Sequence, residues 1–184
     1  MGTSSLALYY RLKEVVEPQK GYFTAKQAVA WGYQDEVHRY HVQNGDWIKA
    51  YRGIYRLAEV PEDPWADLIV WSLWSRDRKG LPQGVFCRET ALAVHGKALF
   101  RPNLIQMTVP PRFRKNCALP DPLKLFKEPL FDHEIEKMPG FSVTTLEKTR
   151  FDLENDINPK KHAPISENWA RNDAFERVLS QGMD

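Results

Sequence analysis

An α+β fold in two parts is predicted by three observations. Between Thr24 and Asn44, apolar and aromatic residues recur at helical spacing on either side of Gly32. From Trp47 the period changes, and two short runs, Trp47 to Tyr51 and Ile54 to Ala58, flank the turn-forming pair Arg52-Gly53. Beyond Pro64, apolar helical runs alternate with short strand-like runs. The first two features predict an N-terminal winged helix-turn-helix over residues 1–60. The third predicts a small mixed α/β domain over residues 61–155, leaving 156–184 as a linker and C-terminal helix.

In order along the chain, Ser4 or Ser5 caps a first helix that reaches Val16, with Leu8, Leu12, Val15 and Val16 as its buried stripe. Pro18 and Gly21 close it. Thr24 is placed to cap a short helix ending at Trp31, with Ala28 and Trp31 on one face. Gly32 supplies the left-handed turn. A second helix runs from Gln34 to Asn44 and stops at Gly45. If Val37, Tyr40 and His41 face inward, then Gln34, Asp35, His38, Arg39 and Val42 face outward.

Two short helices across a glycine, followed by a hairpin, form a device that docks in the major groove of DNA. On that reading Gln34 can read adenine, Arg39 guanine, and His38 a base or a phosphate. Lys49, Arg52 and Arg56 of the hairpin are the phosphate contacts, which position without specifying sequence. Each outward residue of the helix is equally compatible with an ordinary solvated side chain. Asp35 and Glu36 suit the positive end of the helix dipole better than they suit a phosphate.

The second part opens at Asp63-Pro64, with proline at a first helical position. Its helix, Trp65 to Arg76, is apolar on most sides and so sits between the two domains or deep in the second one. Val85 to Cys87 reads as a strand, Arg88 to Val94 as a helix ended by His95-Gly96, and Asn103 to Val109 as a strand. Arg112, Arg114 and Lys115 form a basic loop that adds to the DNA contacts. Leu123 to Lys127, Phe131 to Met138 and Phe141 to Val143 are further strands. Thr144 and Glu147 have the spacing of a capping box for the next helix. Ser166 caps a last helix with an apolar stripe through Leu179.

The residues Gly21-Tyr22-Phe23-Thr24, Gln27-Ala28, Gly32, Val37 and Arg52-Gly53-Ile54-Tyr55-Arg56-Leu57 resemble the N-terminal domain of the AbiEi family, the antitoxins of type IV abortive-infection toxin–antitoxin systems. His95-Gly96, Val109-Pro110 and Thr144 through Leu153 resemble the family's second region. The likeness spans Gly21 to Leu153, thins over Lys115 to Pro139, and departs from the more basic recognition helix of the family at Asp35 and Glu36. What the resemblance implies is a non-enzymatic transcriptional repressor of its own operon, bound to operator DNA and opposed to a cognate nucleotidyltransferase toxin.

Composition fits this without announcing it. The chain has 184 residues, 42% of them hydrophobic, and a net charge of only +2. The charge is uneven: Lys97 to Lys127 holds seven basic residues and one acid, while acids gather at Glu59 to Asp67 and Glu128 to Glu136. Cys87 and Cys117 have no metal-ligand spacing and read as reduced core thiols of a cytoplasmic protein. No apolar leader and no membrane-spanning run is present in the sequence.

Neither a phosphate-binding glycine loop nor a nucleophile elbow occurs. No catalytic residue, cofactor or metal is therefore expected. The runner-up is a metal-dependent nuclease in which Asp132, Glu134 and Glu136 share one face of a strand, though an exposed strand face explains the same residues more simply. A stand-alone regulator, whose second domain binds a ligand or protein, is a third reading.

Overall fold

The computed structural model describes residues 5–98 and 103–157. It is an α+β protein with two separate sheets. Residues 1–149 make one compact unit and 150–184 a second. Of the second, the described part is residues 150–157, the end of a helix; the linker and last helix expected beyond Asn155 lie mostly outside the described residues.

The first sheet is built from the chain before Val60. Helix α1 (Ser5–Val16) is followed by β1 (Tyr22–Thr24), α2 (Ala25–Ala30), α3 (Asp35–Gln43), β2 (Trp47–Tyr51) and β3 (Ile54–Leu57). The strands lie in the order β1-β3-β2, antiparallel throughout, with Phe23 opposite Tyr55 and Trp47 opposite Leu57. Arg52-Gly53 forms the tight turn, with Gly53 at φ +69°. Leu12, Val16, Phe23, Ala28, Tyr33, Trp47 and Leu57 make the core of this part.

Several local expectations are met here. The Thr24 hydroxyl accepts from the Gln27 N–H at 3.2 Å, and the Gln27 carboxamide oxygen accepts from the Thr24 N–H at 2.9 Å, a complete capping box. Gly32 sits at φ +103°, where an added Cβ would come within 2.9 Å of Leu8. Trp31 differs from expectation: it is 39% exposed, because α2 ends at Ala30 and the ring leaves the helical face that carries Ala28.

Helix α4 (Ala66–Trp74) joins the two sheets. Every residue from Leu68 to Trp74 is buried. It packs on β1 and β3 of the first sheet and on β8 of the second. Tyr22 and Ile54 accordingly share a core with Leu68, Ile69, Leu73 and the second sheet. That sheet contains β4 (Val85–Phe86), β5 (Ile105–Val109), β6 (Leu123–Lys127), β7 (Ile135–Met138) and β8 (Phe141–Thr144), in the order β6-β5-β4-β8-β7. The β5–β6 and β4–β8 pairs are parallel, the other two antiparallel. Helix α5 (Arg88–Val94) packs on β5 and β8.

Three expectations fail in this half. The run from Phe131 begins not as a strand but as a 3₁₀ turn, Asp132–Glu134, closed by the Glu134 carboxylate accepting from the Phe131 N–H at 2.9 Å. The cap of α6 (Leu146–Ile157) is Thr145, whose hydroxyl accepts from the Lys148 N–H at 3.4 Å. Thr144 instead ends β8, its hydroxyl 2.7 Å from that of Thr149. Cys87 is buried as expected, but Cys117 is exposed; both are free thiols. Among the described residues, no helix is long and apolar enough to cross a membrane.

Candidate nucleic-acid interface

Helix α3 packs on β2, and the side chains it turns inward are Val37, His38, His41 and Val42. Relative to the expected register, the helix is rotated by about one residue, roughly 100°. The cause is an aromatic box around Trp47. His41 stacks on the Trp47 ring at 4.6 Å between centroids, and His38 fits between Trp47 at 5.3 Å and Tyr55 at 5.8 Å. Imidazole offers a flat apolar body that phenol-sized neighbours can cover. Tyr40, counted inward by its hydrophobicity, is 61% exposed.

His38 is therefore not a DNA contact. It is 4% exposed, and burial lowers its pKa below the ordinary histidine value, with Asp35 opposing that shift. Its Nδ1 lies 3.3 Å from the Asp35 carboxylate, while Nε2 is buried without a partner among the described residues. His41 bonds Asp46 through Nδ1 at 2.9 Å, and this bond, with a second from Asn44, holds the Asp46 carboxyl below its usual range. The pair fastens the end of α3 to the start of β2.

The solvent side of α3 carries Gln34 at its N-cap, then Asp35, Glu36, Arg39, Tyr40 and Gln43. Gln34 and Arg39 stand where the sequence reading put them. On the hairpin, Lys49 and Arg52 are exposed. Among the described residues, Arg39, Lys49 and Arg52 make no ion pair. Arg56 is different: it is 8% exposed, donates to the Val60 carbonyl, and lies over the Tyr22 ring at 5.9 Å. Alternation along β3 points it into the protein, so it is withdrawn as a phosphate contact.

The basic loop after β5 is exposed at Arg112 and Arg114, while Lys115 folds inward. The Lys115 ammonium donates to the Arg76 carbonyl at 2.6 Å and sits 5.5 Å from the Trp74 ring centre. These residues line a cleft of about 600 Å³ with Lys26, Arg76 and Arg78. The last three were missed in the sequence reading. For Arg76 and Arg78 the signal was the charged run Arg76-Asp77-Arg78-Lys79, whereas Lys26 carried none, and the meeting of all three with Arg112 to Lys115 is tertiary.

The three acids of the nuclease reading do not alternate along one strand. Asp132 and Glu134 fall on the 3₁₀ turn, where Glu134 lies 3.8 Å from Lys148, and only Glu136 is on β7. Among the described residues, no group of three or more histidine, cysteine or carboxylate side chains is arranged to hold a metal. No family model matches the chain, and no curated protein is similar to it in sequence.

Proposed function

We propose that the chain is a DNA-binding regulator that uses residues up to about Val60 as a winged helix-turn-helix. The observation carrying this reading is the solvent face of α3. It presents Gln34, Asp35, Glu36, Arg39, Tyr40 and Gln43, with Lys49 and Arg52 of the adjoining hairpin, which make no ion pair among the described residues. An exposed helix of nine residues, packed through Val37 and Val42 on the cluster of Leu12, Phe23 and Trp47, has the size to enter a major groove. In this role Arg39 reads a base and Lys49 and Arg52 hold phosphates.

The resemblance to AbiEi antitoxins extends the proposal: the operator of a toxin–antitoxin operon as the DNA, repression as the outcome, and a nucleotidyltransferase toxin as a protein partner. A cytoplasmic location goes with these partners. The reading assigns the chain no catalytic activity.

The test is binding-site selection from a random duplex pool with the full chain and with Arg39→Ala. The full chain is expected to enrich a defined sequence. The variant should keep its phosphate contacts but lose about 1–3 kcal/mol of discrimination at one or two positions. Enrichment of the same sequence with the same stringency by both proteins would remove Arg39 from the reading role.

A further inference from the structure

The cleft between α2, the end of α4 and the loop after β5 brings Arg112, Arg114 and Lys115, expected from sequence as DNA contacts, together with cations of two other segments. Its main lobe, about 600 Å³, is lined by Lys26, Arg76, Arg78, Arg112, Arg114 and Lys115, with Asp77 as the one acid. A second lobe of about 370 Å³ shares the middle of this wall and adds the apolar surface of Trp31 and Leu73. Volumes of this order suit a small molecule.

The charge in the cleft is poorly compensated. The Asp77 carboxylate already accepts from the backbone N–H groups of Lys79 at 2.8 Å and Leu81 at 2.9 Å. The Lys115 ammonium has three donors, and its hydrogen bond is to a neutral carbonyl, that of Arg76. Burial pushes both Lys115 and Arg76 below their usual pKa values, and at Lys115 the nearby Lys26 adds to the shift while Cys117 and Asp77 oppose it. Arg76 donates to the Gln19 carboxamide oxygen, yet its Nε is buried without a partner among the described residues. An anion entering the cleft would supply what these groups lack.

We propose that this cleft binds a small ligand through a diphosphate or longer phosphate chain. One phosphate group carries about −1.5 to −2 charges at neutral pH, too few to balance the six cations of the wall. Guanidinium forks at Arg78, Arg112 and Arg114 suit phosphate oxygens in pairs. The apolar second lobe takes the organic part. The recess favours a small polyanion over the DNA backbone, since Arg76 and Lys115 are half-buried in its wall. The inference is independent of the DNA-binding role proposed for α3 and its hairpin.

The test is calorimetric titration of the full chain with inorganic pyrophosphate at fixed ionic strength. Saturable binding is expected. It should weaken about tenfold or more in Arg112→Ala/Arg114→Ala, whose changed side chains are exposed and do not disturb the core. It should persist in Lys49→Ala/Arg52→Ala. Absence of saturable binding, or equal affinity in all three proteins, overturns the proposal. So does displacement of pyrophosphate by duplex DNA together with loss of duplex binding in the Arg112/Arg114 variant, because the cleft would then be part of a DNA surface. Pyrophosphate binding by a chain that binds no duplex would sink the DNA reading and leave this one standing.

Discussion

The Arg56 guanidinium donates to the carbonyl of Val60, at the point where the chain leaves the first sheet, and covers the Tyr22 ring. Its neighbour across the turn, Arg52, has no such duty and stands in solvent. Two arginines four residues apart in one hairpin thus serve different ends, because Arg52 lies in the turn and Arg56 on the inward face of β3. Arg56→Ala is expected to lower the unfolding free energy by about 1–3 kcal/mol in urea titrations, since a half-buried carbonyl loses its charged donor. It should leave the salt dependence of DNA binding unchanged. An unaltered urea midpoint would show that the bond contributes nothing. A composition count could not separate the two residues, because both belong to the motif Arg-Gly-Ile-Tyr-Arg; the strand period could, once Tyr55 is read as facing the aromatic box.

Within single elements, boundaries were easier to read than faces. The limits of α3 are set by backbone chemistry, a residue in extended conformation at Gln34 and a left-handed glycine at Gly45, and both signals are local. Which side of α3 is buried depends on Trp47, nine residues after His38, and on Tyr55 further on. Helical periodicity alone ranks Tyr40 above His38 as a core residue, whereas the box accepts imidazole rings and rejects Tyr40. The same limit explains Asp132 to Glu134, where alternation of charge imitated a strand that the Glu134 cap turns into a 3₁₀ segment.

Burial of His38 makes α3 sensitive to acid. The folded chain resists a proton that the unfolded chain accepts below its ordinary pKa of about 6.5. Its contribution is therefore complete above that pH and declines as the pH falls below it. Asp46, held low by His41, acts in the same direction but only below about pH 4, the ordinary carboxylate value. Thermal unfolding between pH 7 and 5 should show a falling midpoint, and His38→Leu should flatten that slope. A slope unchanged in the variant would clear His38 of this role.

Across the whole molecule, α4 ties the first sheet to the second. Tyr22 and Ile54 of the first sheet bury their side chains among α4 residues, and Tyr51 meets Trp71 edge to face at 4.9 Å. Apolar residues on most sides of α4 were legible in the sequence and placed it between the two parts or deep in the second, and it packs on both sheets. A fragment ending at Pro61 would expose Tyr22 and Ile54, so we expect it to lose cooperative unfolding in near-ultraviolet circular dichroism, while the full chain unfolds in one sharp transition. A fragment that unfolds as sharply as the parent would mean that the first sheet is stable by itself. The basic cleft is likewise a property of the assembled fold: Arg76 and Lys115 are 39 residues apart and meet only when α4 and the β5–β6 loop are in place.

In the function proposed above, α3 and its hairpin grip duplex DNA through exposed cations. The most direct test of this grip is the affinity of the full chain for a selected duplex, measured by fluorescence anisotropy from low to moderate salt, beside Lys49→Ala/Arg52→Ala. The logarithm of the binding constant should fall linearly with the logarithm of salt concentration, and the double variant should reduce the slope by about two, one released counterion for each lost phosphate contact. Equal slopes for the two proteins, or no binding to duplex at low salt, would contradict the account.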